Sequence, residues 1–303
     1  MPASPPPDLK SLLDTLYAGR SLVHLENDPL SRCRRYASPE DREVAALIAS
    51  AFSYGSVRII LKTLDGIFRA VGPSPRRFVE QFDPKRGLRS FAGFRHRFND
   101  AADLCALLLA TRLMLEAAGS IEAFFLQGHD TREEDVTRSL TAFSAAVLAQ
   151  EYRPVFGTST VPANSYFPFF FPSPASGSAC KRLCMFLRWL VRPDDGIDLG
   201  VWSGVSPSQL VMPVDRHIRR IARSLGLSSR NQADWKMARE ITARLRELDP
   251  DDPVKYDFSL CHLGISEGCD GKSAGPCLAC GVAPVCSGPS LTPGLRVDSC
   301  TTK

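Results

Sequence analysis

Close to its C-terminal end the chain reads CDGKSAGPCLACGVAPVC, four cysteines spaced C-x7-C-x2-C-x5-C. Four thiols this close can wrap one small inorganic centre, and a loop built around such a centre restricts how the preceding chain can pack. Structural zinc held by four cysteines usually takes two separated C-x2-C knuckles, and only one is present here. A [4Fe–4S] cluster also takes four thiolates, in compact spacings. The spacing alone leaves both open, beside a third reading of unligated buried thiols. Cys261 competes with Cys269 as the first ligand. It falls within a helical pattern, whereas Cys269 falls in a glycine-rich loop, so the ligand set reads Cys269, Cys277, Cys280 and Cys286.

The rest of the 303 residues has helical periodicity nearly throughout. In SPEDREVAALIASAF, Ser38 reads as an N-cap, with Pro39 at the first helical position and Asp41 three residues after the cap. SVRIILKTLDGIFRAVG ends at Gly72, RFNDAADLCALLLATRLMLEAAGS ends at Gly119, and Ser120 can cap the next helix. Residues 134–150, 178–192, 231–250 and the stretch leading into the cysteines also read as helices. MPVDRHIRRIARSLGL reads as a helix with Pro213 at its start and Asp215 in its first turn. No series of alternating strands and no internal repeat is visible. The expected fold class is therefore all-α.

The expected organisation has six segments. Residues 1–20 are a partly disordered N-terminal segment and 21–150 a helical subdomain. Residues 151–177 are an irregular connection whose prolines and phenylalanines should pack against something. Residues 178–268 are a second helical subdomain, 269–286 the metal loop and 287–303 a disordered tail. No apolar run is long enough for a membrane span. MPASPPPDLK does not read as a signal peptide. A cytoplasmic location follows as an expectation, and there the ten cysteines are unsuited to disulfides. Cys105, Cys180 and Cys184 read as core residues.

Net charge is only +4, too little to name a partner. Its distribution says more. Residues 173–248 hold 13 Lys and Arg against 7 Asp and Glu, and further basic clusters stand at Arg34-Arg35, Arg76-Arg77 and Lys85 to Arg97. Arginine, the better phosphate fork, dominates, though solvated helix faces look the same in sequence.

An all-helical chain ending in a compact four-cysteine loop resembles the helix-hairpin-helix DNA glycosylases of the endonuclease III type. Their loop is C-x6-C-x2-C-x5-C. Cys277, Cys280 and Cys286 match it, and the first gap here is one residue longer. A second match is MPVDRH, which resembles the family's V-D-T-H motif and puts Asp215 at the catalytic carboxylate and His217 at the motif's histidine. A third is VAALIASAFSYGS, similar to the family's early helix and its turn toward DNA. The combination also resembles an uncharacterised bacterial group related to these enzymes. The hairpin departs from the family. Where the family has L-P-G-x-G, this chain has SPASGSACKRLCMFL, with the single glycine Gly177 and the segment RPDDGIDLGVWSGVSPSQL inserted after the following helix.

The resemblance implies a two-subdomain fold, a [4Fe–4S] cluster rather than zinc, DNA as partner, and excision of a damaged or modified base. It implies that Asp215 stabilises the transition state or positions water. Lys181, near the place of the family's catalytic lysine, would attack the sugar as an amine. Gly177, Ser178 and Arg182 would contact phosphate, and Tyr54 between Ser53 and Gly55 would stack on a base. Arg188 adds a cation near the DNA. The plainer readings are that Asp215 only complements a helix dipole, that Lys181 is a phosphate contact or solvated, and that His217 packs or caps. By the same token Phe167 to Phe171 would be core, and Arg188, Trp189 and Arg192 a mixed helix face. The alternative function is a non-catalytic nucleic-acid-binding iron–sulfur or zinc protein on the same scaffold.

Overall fold

The computed structural model describes residues 8–19 and 22–288. The expected disordered tail falls almost wholly outside these residues, as does the start of the expected N-terminal segment. Within that segment, residues 8–19 are described. Asp8 caps α1 (Leu9–Ala18), and Leu13 on α1 is fully buried.

Two single-turn helices come next, α2 (Val23–Glu26) and α3 (Leu30–Cys33), and then α4 (Pro39–Ala51), α5 (Val57–Val71), α6 (Pro75–Glu80) and α7 (Pro84–Ser90). A short antiparallel hairpin, β1 (Arg95–His96) with β2 (Asn99–Asp100), interrupts the helices. It leads into α8 (Ala101–Ala118), α9 (Ile121–Leu126), α10 (Thr137–Leu148) and the single turn α11 (Arg153–Phe156). After the irregular connection come α12 (Lys181–Val191), α13 (Arg216–Ser224), α14 (Trp235–Leu248) and α15 (Asp257–Ile265). The described chain is thus mostly helical, as its periodicity predicts, with one two-stranded sheet that periodicity does not reveal.

The helix ends follow capping chemistry. Ser38, Ser74, Asp83, Ser120 and Asp234 each accept an amide at the start of a helix, and Asp100 forms a capping box with Asp103. Gly119 closes α8 in the left-handed conformation, which spares a side chain the steric cost.

From Glu43 to Ala51 every residue of α4 is buried, and α12 packs along it. Ala45, Ala46 and Ala49 keep that helix slim enough for neighbours to approach on all sides. One contiguous hydrophobic core runs from Leu13 to Val282, through both of the expected helical subdomains. Phe167, Phe170 and Phe171 of the irregular connection belong to it, as do Cys105, Cys180 and Cys184.

The segment after α12 is a strap rather than a loose insertion. Leu199 and Trp202 donate amides to the carbonyls of Trp189 and Leu190 at the end of α12. The Trp202 indole donates to buried Glu43 of α4, which also accepts the amides of Ile121 and Glu122. Asp198 of the strap is fully buried between Arg188 and Arg192. Arg188 reaches on to Asp257, at 2.5 Å, and Arg192 to Asp252, at 2.8 Å. Two stretches distant in sequence, from α12 into the strap and the entry to α15, are locked together by this network.

Candidate functional site

The site begins in the turn before α12. Gly177 has φ +80°, and its carbonyl accepts the amide of Trp235, which ties the turn to the start of α14. Ser178 bridges Asp234 across the same junction, and its hydroxyl accepts the Cys180 amide. Cys180 then takes a left-handed conformation, φ 47° and ψ 30°, a costly backbone state for a residue with a side chain. The element before Gly177 is a 3-10 turn, Pro174–Ser176, not an α-helix, so the hairpin departs from the expected one in shape as well as in sequence. No side chain caps α12.

Lys181 is the first residue of α12 and is part-buried. Among the described residues no hydrogen bond or ion pair occupies its ammonium. Asp215 is the N-cap of α13, one position outside the first turn where the sequence pattern puts it. The reason is local. Its Oδ1 accepts the amides of His217 at 2.8 Å and Ile218 at 3.0 Å, a bond pattern that extended backbone at the cap allows. Its Oδ2 has no hydrogen-bond partner among the described residues.

The two side chains share their surroundings. With opposite sign, the charges of Asp215 and Lys181 act on the same three groups: Asp257, Cys261 and His217. Burial raises the Cys261 thiol well above its ordinary range, and Asp215 adds to the shift. Burial also lowers His217, against the pull of Asp215. A fourth group, Asp28, also feels Lys181. Burial raises its carboxyl, opposed by the Leu30 amide that it accepts at 2.8 Å, by Arg188 and by Lys181. Asp28 was not a sequence candidate. An Asp before Pro29 reads as an ordinary turn residue, and its proximity to Lys181 exists only in the fold.

A separate cavity of about 860 Å³ opens between α5 and α15. Arg58, Lys62 and Arg69 line it from α5, His262 and Ser266 from the other side, and Asn27 from the segment just before Asp28. None of the three α5 cations has a carboxylate partner among the described residues.

Three of the expected nucleic-acid contacts are engaged within the fold. Arg182 is buried, lies 3.8 Å over the Phe169 ring and donates to the carbonyls of Ala51 and Phe169. Arg188 is 4 % exposed and held by Asp198 and Asp257. Tyr54 has its hydroxyl on the His96 carbonyl and the Asn99 side chain, and its ring packs against His96, Phe169 and Arg182. The expected packing role of His217 fits its position. A Cβ on Gly264 of α15 would lie 2.6 Å from the His217 ring, so the two helices meet there by virtue of that glycine.

Cys269, Cys277, Cys280 and Cys286 all line one cavity of about 490 Å³, walled by Ile221, Leu225, Leu263 and Val282. Cys261 is not among its lining residues. Among the described residues no group of three or more His, Cys, Asp or Glu side chains is placed to hold a metal ion, so the four free thiols share a cavity and an apolar wall rather than a formed ligand cage. The loop is fastened to α13. Arg220 donates to the Cys269 carbonyl, with its stem against Gly271, and Ser287 donates its amide to the Ser224 carbonyl at 2.8 Å.

The chain belongs to a family described as proteins of unknown function (DUF2400), whose profile matches residues 28–266. That span contains Asp28, Lys181 and Asp215 and stops before the four-cysteine loop. No curated protein and no solved structure matches the chain. Among the described residues no helix is long and apolar enough to cross a membrane.

Proposed function

We propose that the chain is a DNA glycosylase-like enzyme of helix-hairpin-helix type, acting on a damaged or modified base. The observation that carries this reading is that Lys181 and Asp215 stand at the starts of two helices and each keeps a reactive atom free among the described residues. The cations Arg58, Lys62 and Arg69 along the cavity between α5 and α15, and the uncapped start of α12, suit the phosphates of a nucleic acid.

In this reading the base is turned out of the duplex into the cleft. The Lys181 amine attacks C1′ of the sugar. The C1′–N bond to the base breaks, and the base leaves with that electron pair. The proton released from the attacking nitrogen passes to Asp215 Oδ2 and on to the departing base. Oδ1 stays fixed by two amides, which holds the carboxylate against the positive charge that develops on the sugar. As the sugar ring opens, the C1′–O4′ bond breaks with its electron pair on O4′, which takes up the second proton lost from the nitrogen, leaving an imine.

A [4Fe–4S] cluster is the centre that the four-thiol cavity suits. Cys269, Cys277, Cys280 and Cys286 would hold it, and it would organise the loop that braces α13. Asp215, at the start of α13, would depend on that brace. Anaerobically purified protein should carry about four iron atoms per chain; a colourless protein loaded with zinc would refute this assignment.

The direct test is base release from a panel of lesion-bearing oligonucleotides. Asp215→Asn keeps a capping side chain and should lose release by at least about 100-fold. Release at the wild-type rate would remove Asp215 from the site. Salt-sensitive binding with no release from any lesion would favour a non-catalytic nucleic-acid-binding protein instead.

A further inference from the structure

Three loops converge on one exposed face, and none of them carries Lys181 or Asp215. They are the turn after α4, the β1–β2 hairpin, and the irregular connection before α12. The described residues expose eight large hydrophobic side chains, and the three aromatic ones, Phe98, Tyr166 and Phe169, are all here, 49 %, 48 % and 41 % exposed. Phe98, at the hairpin tip, is stacked on Tyr166 with centroids 5.3 Å apart and planes 22° apart. Phe169 lies one 3-10 turn after Tyr166, and its amide donates to the Tyr166 carbonyl, so the two rings share a face. An apolar pair this exposed gains little for folding, since half of its surface stays in water.

The platform is held rigidly from beneath. His96, between exposed Arg95 and Arg97, points inward and is fully buried. Its Nε2 donates to the Tyr54 carbonyl at 3.0 Å, so its Nδ1 accepts from the Thr63 hydroxyl at 2.9 Å. Asn99 donates to Asp103 at 3.0 Å, and Ser165 donates to the same carboxylate at 2.7 Å. That carboxylate thereby ties the hairpin to the segment that carries Tyr166. At the tip Arg97 is held at φ +53°, one of two non-glycine residues at positive φ among those described. Its stem lies where a side chain on Gly55 would be, and its guanidinium sits 5.4 Å from the Phe98 centroid. Strain of this kind persists where the surroundings enforce it, and it often marks a working surface.

We infer that Phe98 and Tyr166 form a stacking platform for an unpaired nucleobase, with Arg95 and Arg97 taking the flanking phosphates. Neither arginine has a carboxylate partner among the described residues. A bare aromatic pair beside two free cations complements a base joined to phosphate better than it complements an apolar protein surface. This deepens the nucleic-acid reading and rests on it: the preferred substrate is DNA with a base already out of its pair.

The test uses the full chain carrying Asp215→Asn, so that no turnover intervenes. Two duplexes of one sequence serve as probes, one fully paired and one with a single bulged 2-aminopurine, whose fluorescence reports stacking. The expected result is tighter binding of the bulged duplex, with quenching of the 2-aminopurine. Phe98→Ala with Tyr166→Ala should weaken binding of the bulged duplex about 5- to 100-fold and leave the paired duplex within about twofold. Phe98→Trp, which keeps an aromatic face, should retain the preference and shows that the hairpin tolerates substitution. Equal binding of both duplexes, unaffected by these substitutions, would overturn the platform and leave the glycosylase reading standing. Binding of neither duplex would overturn both.

Discussion

The two ends of α12 carry cations of opposite circumstance. At its C-terminal half Arg188 and Arg192 are buried and fixed by Asp198, Asp252 and Asp257. At its first turn Arg182 is likewise used up, on two carbonyls and two aromatic rings, while Lys181 has no partner among the described residues. All four look alike in sequence, as basic residues on one helix of a mildly basic chain. The fold sorts them into three that hold the protein together and one left without a partner among the described residues. A cation's role is decided by whether its neighbours have already claimed it.

The largest expected effect falls on the claimed end. Asp198→Ala would leave two buried guanidiniums short of a carboxylate and should cost about 3–5 kcal/mol in denaturant unfolding. A loss under about 1 kcal/mol would show that the network is not what separates the two ends.

A pH signature belongs to the same end. His262 of α15 packs on Phe258 and stacks on His24. Burial pulls its pKa down to about 4, helped by the charges of His24 and Arg188. The unfolded chain binds this proton near pH 6.5 and the folded one only near 4. Stability from this residue is therefore complete above about 6.5 and lost as the pH falls toward 4, by about 3 kcal/mol. His262→Phe should flatten the unfolding midpoint across that window. An unchanged slope would mean that His262 titrates normally.

The smallest effect is expected at the free end. Lys181→Gln should change unfolding free energy by no more than about 0.5 kcal/mol, since no hydrogen bond or ion pair among the described residues is lost. A loss comparable to that of Asp198→Ala would erase the distinction on which the site assignment rests.

How far the fold and the site are legible in sequence divides along the same line. Local chemistry can be read. Ser38 and Ser120 announce their helices, the four-cysteine loop announces a common cavity, and Cys269 rather than Cys261 lines it. Asp215 is visible as a helix-start residue, though its exact register needs the two amides to fix it. The hairpin is invisible because two-residue strands are too short for an alternating pattern to register. Arg182 and Arg188 mislead because burial is a tertiary fact. Their partners lie up to 131 residues away, and nothing in the local sequence separates a phosphate contact from a core ion pair. Asp28 is silent for the same reason.

Abasic DNA is the common product whatever base is removed, so trapping with borohydride needs no knowledge of the lesion. Borohydride reduces an imine between enzyme and sugar to a stable covalent link. Wild-type protein should form a covalent complex with abasic duplex, and Lys181→Gln, equally stable, should form none. Trapping by Lys181→Gln at the wild-type level, or none by wild type, would contradict the assignment of Lys181 as the amine of this site.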